Sequence, residues 1–475
     1  EMLSGDWSSD VCSSDLEPAV VANAQALAAH LRLAAELPSA ELADLAWTQQ
    51  WGRKPFSHRA FAVGATPTEL AAQLSAPELK AQVKKASDRG PSVVFLFPGG
   101  GAQYPGMALG LYEHEPAFRK AADSCLAALP KPLAETVSKL LFGELATPEH
   151  GAMLERPSLA LPALFLVEYA LARTLQSFGI EPDALLGHSM GEYVAACLGG
   201  TFTVEQGMRV VLLRGELFEQ VQEGAMLTVP MTAGEVMALG DSELSLAAAN
   251  APQLCAVAGT VAAIDRVEKQ LQERGLDVQR LRIAVAAHSH LLDPILDRFR
   301  AGLRAMQLQP AKKPWVSNVT GDWIDPARAA DPEYWVEHLR RTVRFQDGIA
   351  TLLAGGDRVF VEVGPGKALS SLARMHERAA KSSTLVTLPH AKEAKAADAV
   401  ALGRVAGAWG VRGWLRIVPF NDPRDSILIG QPGWWLRGRG ICRLLEIEQA
   451  RVHGDEIVAK VGGLDDRDSA EALKG

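Results

Sequence analysis

One short motif in this chain combines a nucleophile with the small residues that a sharp turn requires. Gly187-His188-Ser189-Met190-Gly191 has the pattern Gly-x-Ser-x-Gly and stands between an apolar run, residues 184–186, and a helix-forming segment, residues 192–197. In such a strand–turn–helix unit the serine lies in a strained turn that exposes its hydroxyl. The free N–H groups at the start of the helix can stabilise an oxyanion beside it. The motif therefore predicts that Ser189 is a nucleophile in acyl chemistry.

A nucleophilic serine needs a base, and histidine is the usual one. The chain has 11 histidines. His188 is adjacent to the serine, so we expect its side chain to point elsewhere within the turn. His288 follows another apolar segment and is the second candidate, although by position alone a surface or core histidine is the commoner case. No downstream Asp or Glu stands out as a third member, which departs from the Ser–Asp–His order of α/β hydrolases.

The elements around these residues predict an α/β domain with a parallel sheet. Residues 93–97 form a continuous apolar run, as expected for a strand buried on both faces, and they lead directly into a glycine-rich turn. Residues 184–186 and 359–363 are two further strands, and longer helical segments separate the three. Residues 224–287 have a strand–helix–strand rhythm of their own, which indicates an inserted subdomain. Residues 19–74 predict a small α/β piece before the main domain.

Composition limits the function classes. A chain of 475 residues with 48% hydrophobic and 22% charged residues is long enough for several globular domains. The formal net charge of −8 argues against a general nucleic-acid binder, and no DNA partner is expected. The five cysteines are scattered without a CxxC pair, which indicates neither a metal site nor a disulfide framework and fits a reducing cytoplasm. Residues 159–175 contain Pro162, Glu168 and Arg173, so we expect a buried helix there and no membrane span.

An ordered set of further motifs resembles one family, the acyltransferase domains of polyketide and fatty-acid synthases. The resemblance to a modular polyketide synthase covers residues 17–395, with residues 17–88 similar to the ketosynthase-to-acyltransferase linker. It implies an α/β-hydrolase-like domain over residues 89–390 with a ferredoxin-like insert. The motifs that carry it are Phe97 to Gln103, Gly187 to Tyr193, Arg214, Gly224-Ala225-Met226, Asn250-Ala251-Pro252, His288-Ser289, Ser317-Asn318, Tyr334-Trp335, Val343-Arg344-Phe345 and Glu362 to Gly366.

The resemblance implies a role for each matching residue. Ser189 takes an acyl group from acyl-CoA and passes it to the phosphopantetheine thiol of an acyl carrier protein, with His288 as general base and acid. The backbone carbonyl of His338 orients His288, which explains the missing acidic member. Arg214 binds the free carboxylate of a malonyl-type substrate, although by position alone it predicts a solvated helix residue. The remaining implied residues are Gly100 and Met190 for the oxyanion hole, and Asn250, His188 and Gln103 for the substrate pocket.

The chain departs from the family pattern at three places, and these bear on the acyl group that it selects. Gly100 and Leu161 each stand where the family commonly has glutamine. The stretch 285–288, Val-Ala-Ala-His, is neither the malonyl-type His-Ala-Phe-His nor the methylmalonyl-type Tyr-Ala-Ser-His. Met190 is apolar where methylmalonyl-selective members often have glutamine, which favours malonyl. The resemblance implies no bound cofactor and no metal.

Both ends of the chain differ in character from the middle. Residues 1–16 resemble a translated sequencing adapter, or else form a disordered polar terminus. Residues 391–397 are a short link. Residues 398–475 alternate apolar and polar residues between glycines, which predicts a small β-barrel, and they resemble a truncated N-terminal domain of the ribosome maturation factor RimM. Because a synthase and a ribosome factor have no evident reason to share a chain, we expect a fusion or a mis-joined reading frame.

Three functions remain open at this point. The first is the acyltransferase, with a carrier protein and a neighbouring ketosynthase as partners. The second is a Gly-x-Ser-x-Gly hydrolase or editing thioesterase, which needs Ser189 and His288 but no carboxylate-binding arginine. The third is a small-subunit ribosome assembly factor that binds a ribosomal protein through residues 398–475.

Overall fold

The computed structural model describes residues 8–33, 39–54, 56–64, 66–85, 92–281, 283, 285–391, 403–409, 414–419, 433–438, 441–453, 456–464 and 466–471. The chain divides into two units, Glu1–Pro389 and His390–Gly475, and each is described by itself. The strands of the first unit are β1 (Ser8–Ser14), β2 (His58–Gly64), β3 (Lys84–Lys85), β4 (Val93–Phe97), β5 (Ala184–Gly187), β6 (Gly224–Val229), β7 (Leu244–Ala251), β8 (Leu254–Thr260), β9 (Gln279–Arg280), β10 (Trp315–Val316), β11 (Val359–Pro365) and β12 (Ser383–Leu388).

Helices of the first unit connect and cover these strands. They are α1 (Glu17–Leu33), α2 (Ser39–Trp51), α3 (Pro67–Ser75), α4 (Leu79–Gln82), α5 (Leu109–His114), α6 (Pro116–Ala127), α7 (Lys131–Phe142), α8 (Pro157–Ser177), α9 (Gly191–Leu198), α10 (Val204–Phe218), α11 (Ala233–Met237), α12 (Val261–Glu273), α13 (Leu296–Arg304), α14 (Pro326–Ala329), α15 (Pro332–Arg340), α16 (Phe345–Ala354) and α17 (Ala368–Arg374). Short 3-10 helices span Pro148–Glu155, His290–Ile295 and Glu377–Lys381.

The N-terminal part of the first unit is a three-stranded antiparallel sheet of order β1-β2-β3 with helices packed on one face. Strand β2 alternates, so that Ala60 and Ala62 are buried against α1 and α3. The expectation of a disordered terminus is wrong for residues 8–14, because β1 pairs with the whole of β2, from Ser8 opposite Gly64 to Ser14 opposite His58. Backbone pairing needs only extended backbone, so a polar segment with little apolar content can still form a strand. The adapter-like origin of this segment stays a prediction.

Five parallel strands form the sheet of the main domain, in the order β10-β5-β4-β11-β12. The predicted apolar runs became β4, β5 and β11. Phe95, Leu96 and Phe97 are fully buried, as helices cover both faces of a parallel sheet. Because β4 and β5 are adjacent and parallel, with Phe97 opposite Gly187, the loops that leave their carboxyl ends meet at one edge of the sheet.

Helix α8, Pro157–Ser177, crosses the core behind this edge. By length and composition it could cross a membrane, but 89% of its apolar window is buried inside the protein. The sequence predicts a buried helix at residues 159–175, and the structure places one there. Its hydrophobic residues pack against α6 and α10, and Leu161 approaches the glycine turn after β4.

A second sheet is inserted between α10 and the segment that contains His288. Its strands are antiparallel in the order β7-β8-β6-β9, and the chain passes through β6, α11, β7, β8, α12 and β9 in turn. The apolar face of α12, with Ile264, Val267 and Leu271, packs on this sheet. The insert is joined to the main domain at Val343, which exchanges backbone hydrogen bonds with Ala247 and Ala249 of β7.

The second unit contains a separate antiparallel sheet of order β13-β14-β17-β16-β15. A small apolar core of its own includes Leu415, Ile417, Ile457 and Val461. The alternating segments around Trp414 and Trp434 are strands, as predicted. Its elements are β13 (Gly403–Trp409), β14 (Trp414–Pro419), β15 (Gly433–Gly438), β16 (Ile441–His453), β17 (Glu456–Val461) and α18 (Arg467–Glu471).

Candidate active site

The predicted nucleophile lies in a left-handed turn between β5 and α9. Ser189 has φ +51°, a conformation that non-glycine residues rarely adopt. Ser189 is 9% exposed. The flanking glycines are sterically required. A Cβ on Gly187 would lie 2.0 Å from Glu192 N, and a Cβ on Gly191 would lie 2.1 Å from Phe97 O. The spacing of the motif therefore reflects the close approach of the turn to β4 and to its own helix.

The structure brings His288 to the serine hydroxyl. Ser189 Oγ lies 2.6 Å from His288 Nε2, and His288 Nδ1 lies 2.9 Å from the backbone carbonyl oxygen of Arg341. A carbonyl can only accept, so Nδ1 holds the ring proton and Nε2 presents its lone pair to the serine. This is the arrangement of a general base that is ready to take the Ser189 proton.

The prediction that the His338 carbonyl orients His288 is wrong, because the carbonyl of Arg341 does so. His338 lies inside the last turn of α15, whereas Arg341 is the first residue beyond the helix and has extended backbone with ψ 163°. The carbonyl of Arg341 is thereby turned away from the helix axis and towards the histidine. The His338 ring is buried 6.1 Å from the His288 ring, in an edge-on arrangement.

Burial, and then the positive charge nearby, keep the base neutral. The pKa of His288 is well below its usual range, first because the ring is buried and next because the guanidinium of Arg214 lies nearby. His338 and His188 act in the same direction, and the hydrogen bond to Arg341 opposes them. A neutral imidazole is the form that can accept a proton, so this environment holds His288 in its active state.

Arg214 is buried, which corrects the alternative of a solvated helix residue. It is 2% exposed, and its Nη2 donates to Ser189 Oγ at 2.8 Å. Its Nε and Nη1 have no hydrogen-bond partner among the described residues. The guanidinium carbon lies 5.5 Å from the ring centre of Tyr193 and 5.0 Å from that of Phe218. A buried cation with unused donors beside the nucleophile is suited to bind an anionic group of a ligand.

The two predicted oxyanion donors lie on the neighbouring loops. Met190 precedes the first residue of α9, and Gly100 lies in the turn after β4. Within the part of the chain that the structure describes, the N–H groups of Gly100 and Met190 donate to no other protein group. Both backbone N–H groups can bind an oxyanion without help from a side-chain amide. The glycine at position 100 is therefore compatible with a backbone oxyanion hole.

The other predicted pocket residues are held by hydrogen bonds. His188 Nε2 lies 2.8 Å from Asn250 Oδ1, so the His188 side chain points away from the serine, as expected. Burial lowers the pKa of His188, and the hydrogen bond to Asn250 opposes that effect. Gln103 accepts from Gly101 N at 2.8 Å and donates to Leu154 O at 3.0 Å. Gln103 therefore shapes the glycine turn through its amide.

Buried polar residues without a predicted role lie directly beneath the turn. Asn318 Oδ1 accepts from Ser189 N at 2.7 Å, and Glu192 Oε2 accepts from Asn318 N at 2.7 Å. Tyr334 OH donates to Glu192, and His338 Nε2 lies 3.4 Å from Glu192 Oε2. Asn318, Glu192 and Tyr334 belong to the family motifs. Their place in those motifs was the signal that could have identified them as part of the site. What the motifs could not give is the contact of Asn318 with the nucleophile's own N–H, since the two residues are 129 positions apart.

A parallel α/β sheet that presents a serine on such a turn, beside a histidine held by a backbone carbonyl, is typical of acyl-transfer enzymes with a serine nucleophile. Comparison with known proteins gives the family. The family model for the acyl transferase domain matches residues 94–409, and the chain belongs to that family. A model described as CurL-like, PKS C-terminal matches residues 11–74. The RimM N-terminal domain model matches residues 400–475, which confirms the resemblance of the tail.

Similar proteins include polyketide synthases. A phenolphthiocerol/phthiocerol polyketide synthase protein of Mycobacterium tuberculosis is 38% identical over 299 residues, which is 63% of this chain and 20% of that protein. The chain thus spans about a fifth of the length of that relative. The acyl transferase domain of SpnD, solved as a complex with 2-(pent-4-yn-1-yl)malonyl, has TM-score 0.75 and 41% identity, covering 82% of this chain and 92% of its own. The acyl transferase domain of ZmaA has TM-score 0.75 and 36% identity, with coverage of 82% and 91%.

Proposed function

We propose that this chain transfers a malonyl-type acyl group from CoA to the phosphopantetheine thiol of an acyl carrier protein, as part of polyketide synthesis. The observation that carries the proposal is Arg214. A guanidinium that is 2% exposed, with two unused nitrogen donors and one donor on Ser189 Oγ, marks a place for a carboxylate next to the reacting atom. The planar fork of arginine suits a carboxylate, and burial strengthens the pair. The SpnD domain with its malonyl ligand supports the same substrate class.

In the first half-reaction Ser189 Oγ attacks the thioester carbonyl of acyl-CoA, and His288 Nε2 accepts the hydroxyl proton. The N–H groups of Met190 and Gly100 stabilise the oxyanion of the tetrahedral intermediate. When the intermediate collapses, the carbon–sulfur bond breaks and His288 returns the proton to the CoA thiolate. The products are malonyl-Ser189 and free CoA. Arg214 binds the free carboxylate throughout.

In the second half-reaction the carrier protein's thiol attacks malonyl-Ser189. His288 takes the thiol proton and later donates it to Ser189 Oγ as the ester bond breaks. No metal takes part in either step. Malonyl is the preferred acyl group in this proposal, supported by the apolar Met190, which stands where methylmalonyl-selective members often have glutamine.

The proposal also assigns the parts of the chain. We take residues 17–88 as a linker domain that adjoins a ketosynthase, residues 89–390 as the acyltransferase domain and residues 391–397 as a link. The insert is taken as ferredoxin-like, supported by its order β7-β8-β6-β9, and the tail as a small barrel. A cytoplasmic location is part of the proposal and is supported by the free thiols of Cys125, Cys197 and Cys255.

Loading of the protein with malonyl-CoA, followed by intact-mass measurement, tests the proposal. Wild type should gain the mass of one malonyl group, and Ser189→Ala should gain none. Arg214→Ala should lose the preference for malonyl-CoA over acetyl-CoA, whereas Arg209→Ala, an exposed arginine on the same helix, should keep it. A mass gain in Ser189→Ala, or an unchanged preference in Arg214→Ala, would contradict the assignment.

The alternative of a hydrolase or editing thioesterase uses the same Ser189 and His288. It gives no role to the unpaired donors of Arg214. The two activities separate when malonyl-loaded protein is offered a carrier protein with its phosphopantetheine arm. A transferase moves the acyl group to the carrier faster than it releases free malonate, and a hydrolase shows the reverse.

A second function is proposed for the tail, on the strength of the RimM N-terminal domain match. In that proposal residues 398–475 bind a small-subunit ribosomal protein. The full chain as bait should retain such a protein from a purified small-subunit mixture, and a chain that ends at His390 should not. Equal retention by both baits, or none by either, would exclude this function.

A further inference from the structure

The side chain of Asn318 closes the turn that holds the nucleophile. Its Oδ1 accepts from Ser189 N at 2.7 Å, and its Nδ2 donates to Gly187 O at 2.7 Å. One planar amide thus connects the last residue of β5 with the residue that has the strained backbone. Asn318 is 1% exposed, so water does not compete for either bond.

The position of Asn318 is itself fixed from two sides. Its backbone N donates to Glu192 Oε2 at 2.7 Å, and its backbone O accepts from Arg344 N at 2.9 Å. Glu192 is fully buried and also accepts from Trp315 Nε1 at 3.3 Å and from Tyr334 OH. Every polar group of Asn318 therefore has a partner, and the amide cannot rotate without the loss of two buried hydrogen bonds.

The bond from Ser189 N also decides which amide of the turn is available to an oxyanion. Three successive N–H groups lie at the turn, those of residues 189, 190 and 191. The first donates to Asn318, and that of Gly191 donates to His188 O at 3.0 Å. The N–H of Met190 is left for the oxyanion. The carboxamide of Asn318 contributes to this because it occupies the N–H of Ser189.

The same loop that supports Asn318 also supports the base. Arg344 N donates to Asn318 O, and Arg341 O accepts from His288 Nδ1 at 2.9 Å. One short segment, residues 341–344, thus supports both the nucleophile, through Asn318, and the base. A change at Asn318 alters the serine side of this arrangement and leaves the bond between Arg341 and His288 in place.

We infer that Asn318 is a positioning residue for acyl transfer, which holds Ser189 in its left-handed turn and leaves the Met190 N–H free for the oxyanion. The inference rests on the proposed role of Ser189 as nucleophile. Only a side chain that accepts and donates at once fulfils this role. Alanine does neither, and ionised aspartate accepts from Ser189 N but has no proton to donate to Gly187 O. Protonated aspartic acid can both accept and donate, so the activity of the Asn318→Asp variant should depend on pH.

The test compares wild type with Asn318→Ala, Asn318→Asp and Thr174→Val, a control that removes another buried hydrogen bond, to Ala170 O on α8. Two rates are measured between pH 5.5 and 8.5: loading by malonyl-CoA, and labelling of Ser189 by a fluorophosphonate probe, which requires no acyl-CoA site. For Asn318→Ala we expect both maximal rates to fall by roughly 10- to 100-fold, with the KM for malonyl-CoA within about threefold of wild type. For Asn318→Asp the rates, relative to wild type, should rise as pH falls.

The outcomes are distinct. Parallel pH profiles for the Asp variant and wild type, or a wild-type labelling rate in the folded Ala variant, would overturn the inference, as would an equal rate loss in Thr174→Val. If Asn318→Ala does not fold, the Asp variant decides the matter by itself. Ionisable groups also lie near position 318, and the wild-type profile measured alongside accounts for them; they are Glu192, Tyr334, His338, His288 and Arg214. A further outcome is that malonyl-CoA loads neither wild type nor any variant while the labelling rates with the probe still follow the expected order. In that case the substrate proposal fails and the positioning role stands.

Discussion

At the scale of single residues, the chemistry of this site centres on one oxygen atom. Ser189 Oγ donates to His288 Nε2 at 2.6 Å and accepts from Arg214 Nη2 at 2.8 Å. In the proposed mechanism the cation favours the developing alkoxide, and the neutral ring takes the proton. Arg214 then exchanges this contact, or shares it, when a substrate carboxylate arrives. The proposal therefore links substrate binding and nucleophile activation through a single guanidinium.

The first prediction at this scale concerns pH. Since burial holds the pKa of His288 well below its ordinary value near 6.5, the base is neutral across the usual assay range. The kcat/KM for malonyl-CoA should therefore stay level from pH 8 down through pH 6.5 and fall only well below it, because kcat/KM reports the free enzyme. A pH–rate profile of loading checks this. A decline centred on pH 6.5 would show that His288 titrates like a solvated histidine.

At the scale of elements, the turn between β5 and α9 depends on how closely it approaches β4. Phe97 O accepts from His188 N at 2.9 Å, and the Gly191 backbone passes beside the same carbonyl. Helix α9 can begin two residues after the serine only because nothing projects from residue 191 towards β4. The turn around Ser189 and the edge of the sheet are thus one packing unit.

Gly191→Ala should disrupt that unit. The added methyl group would lie 2.1 Å from Phe97 O, a backbone atom that cannot move aside without shifting β4. We expect a loss of at least about 2 kcal/mol in the free energy of unfolding, and a fall of roughly 100-fold in loading rate. Denaturant unfolding and intact-mass kinetics measure the two effects. Gly151→Ala is the matched control, because nothing lies within 4 Å of its added Cβ; an equal loss there would contradict the steric argument.

Helix α8 contains a buried carboxyl group, and this gives a prediction about stability. Glu168 is 0% exposed, and neither of its carboxyl oxygens has a hydrogen-bond partner among the described residues. Burial, and then the charge of Glu362, raise the pKa of Glu168 well above its usual range. The pKa of Glu168 is thus higher in the folded than in the unfolded protein. The stability that the protonated carboxyl group contributes is therefore fully present below the unfolded pKa, and it is lost as pH rises through the folded pKa.

Glu168→Met should therefore stabilise the protein, and more so at pH 8 than at pH 5. The expected gain at pH 8 is about 1–3 kcal/mol, the cost of a buried polar group without a partner. Thermal unfolding at both pH values measures it, with Glu216→Met as a control at an exposed helical glutamate. An equal change at the two pH values would show that ionisation of Glu168 does not affect stability.

At the scale of the whole molecule, the chain consists of two units with separate cores. The first, Glu1–Pro389, contains every residue placed in the candidate site. The second has its own sheet and its own apolar cluster around Leu415 and Ile457. The RimM match begins close to this division, at residue 400, and the acyl transferase match extends past it to residue 409. The proposed acyl transfer is accordingly assigned to the first unit.

A chain that ends at His390 should retain this activity. We expect its rate of loading by malonyl-CoA to stay within about twofold of the full chain, because units with separate cores can fold independently. Intact-mass kinetics and thermal unfolding of the two chains side by side provide the measurement. A loss of more than tenfold would mean that residues beyond 390 contribute to the site.

Several site residues were predictable because their signals are local. Gly-x-Ser-x-Gly, the apolar run before it and the helix after it are contiguous, and steric demand within the turn determines that spacing. His288 and Arg214 were found only through resemblance, since position alone favours a surface or core residue for each. Arg341 escaped prediction because its role belongs to a backbone carbonyl, which every residue has. The helix ends at Arg340, and that end point, rather than the side chain, makes the next carbonyl available.

The sequence by itself determined the nucleophile turn, the buried strands beside it and the distinct character of the tail, because each follows from neighbours along the chain. Only the tertiary structure decided which groups meet at Ser189: the His288 ring from 99 positions away, the Asn318 amide from 129 and the Arg214 guanidinium from 25. The parallel sheet brings loops from distant strands to one edge. Burial there then removes water from donors and acceptors, which gives His288 its low pKa and leaves Arg214 with unused donors. Those two properties arise from surroundings, and no local pattern of residues specifies them.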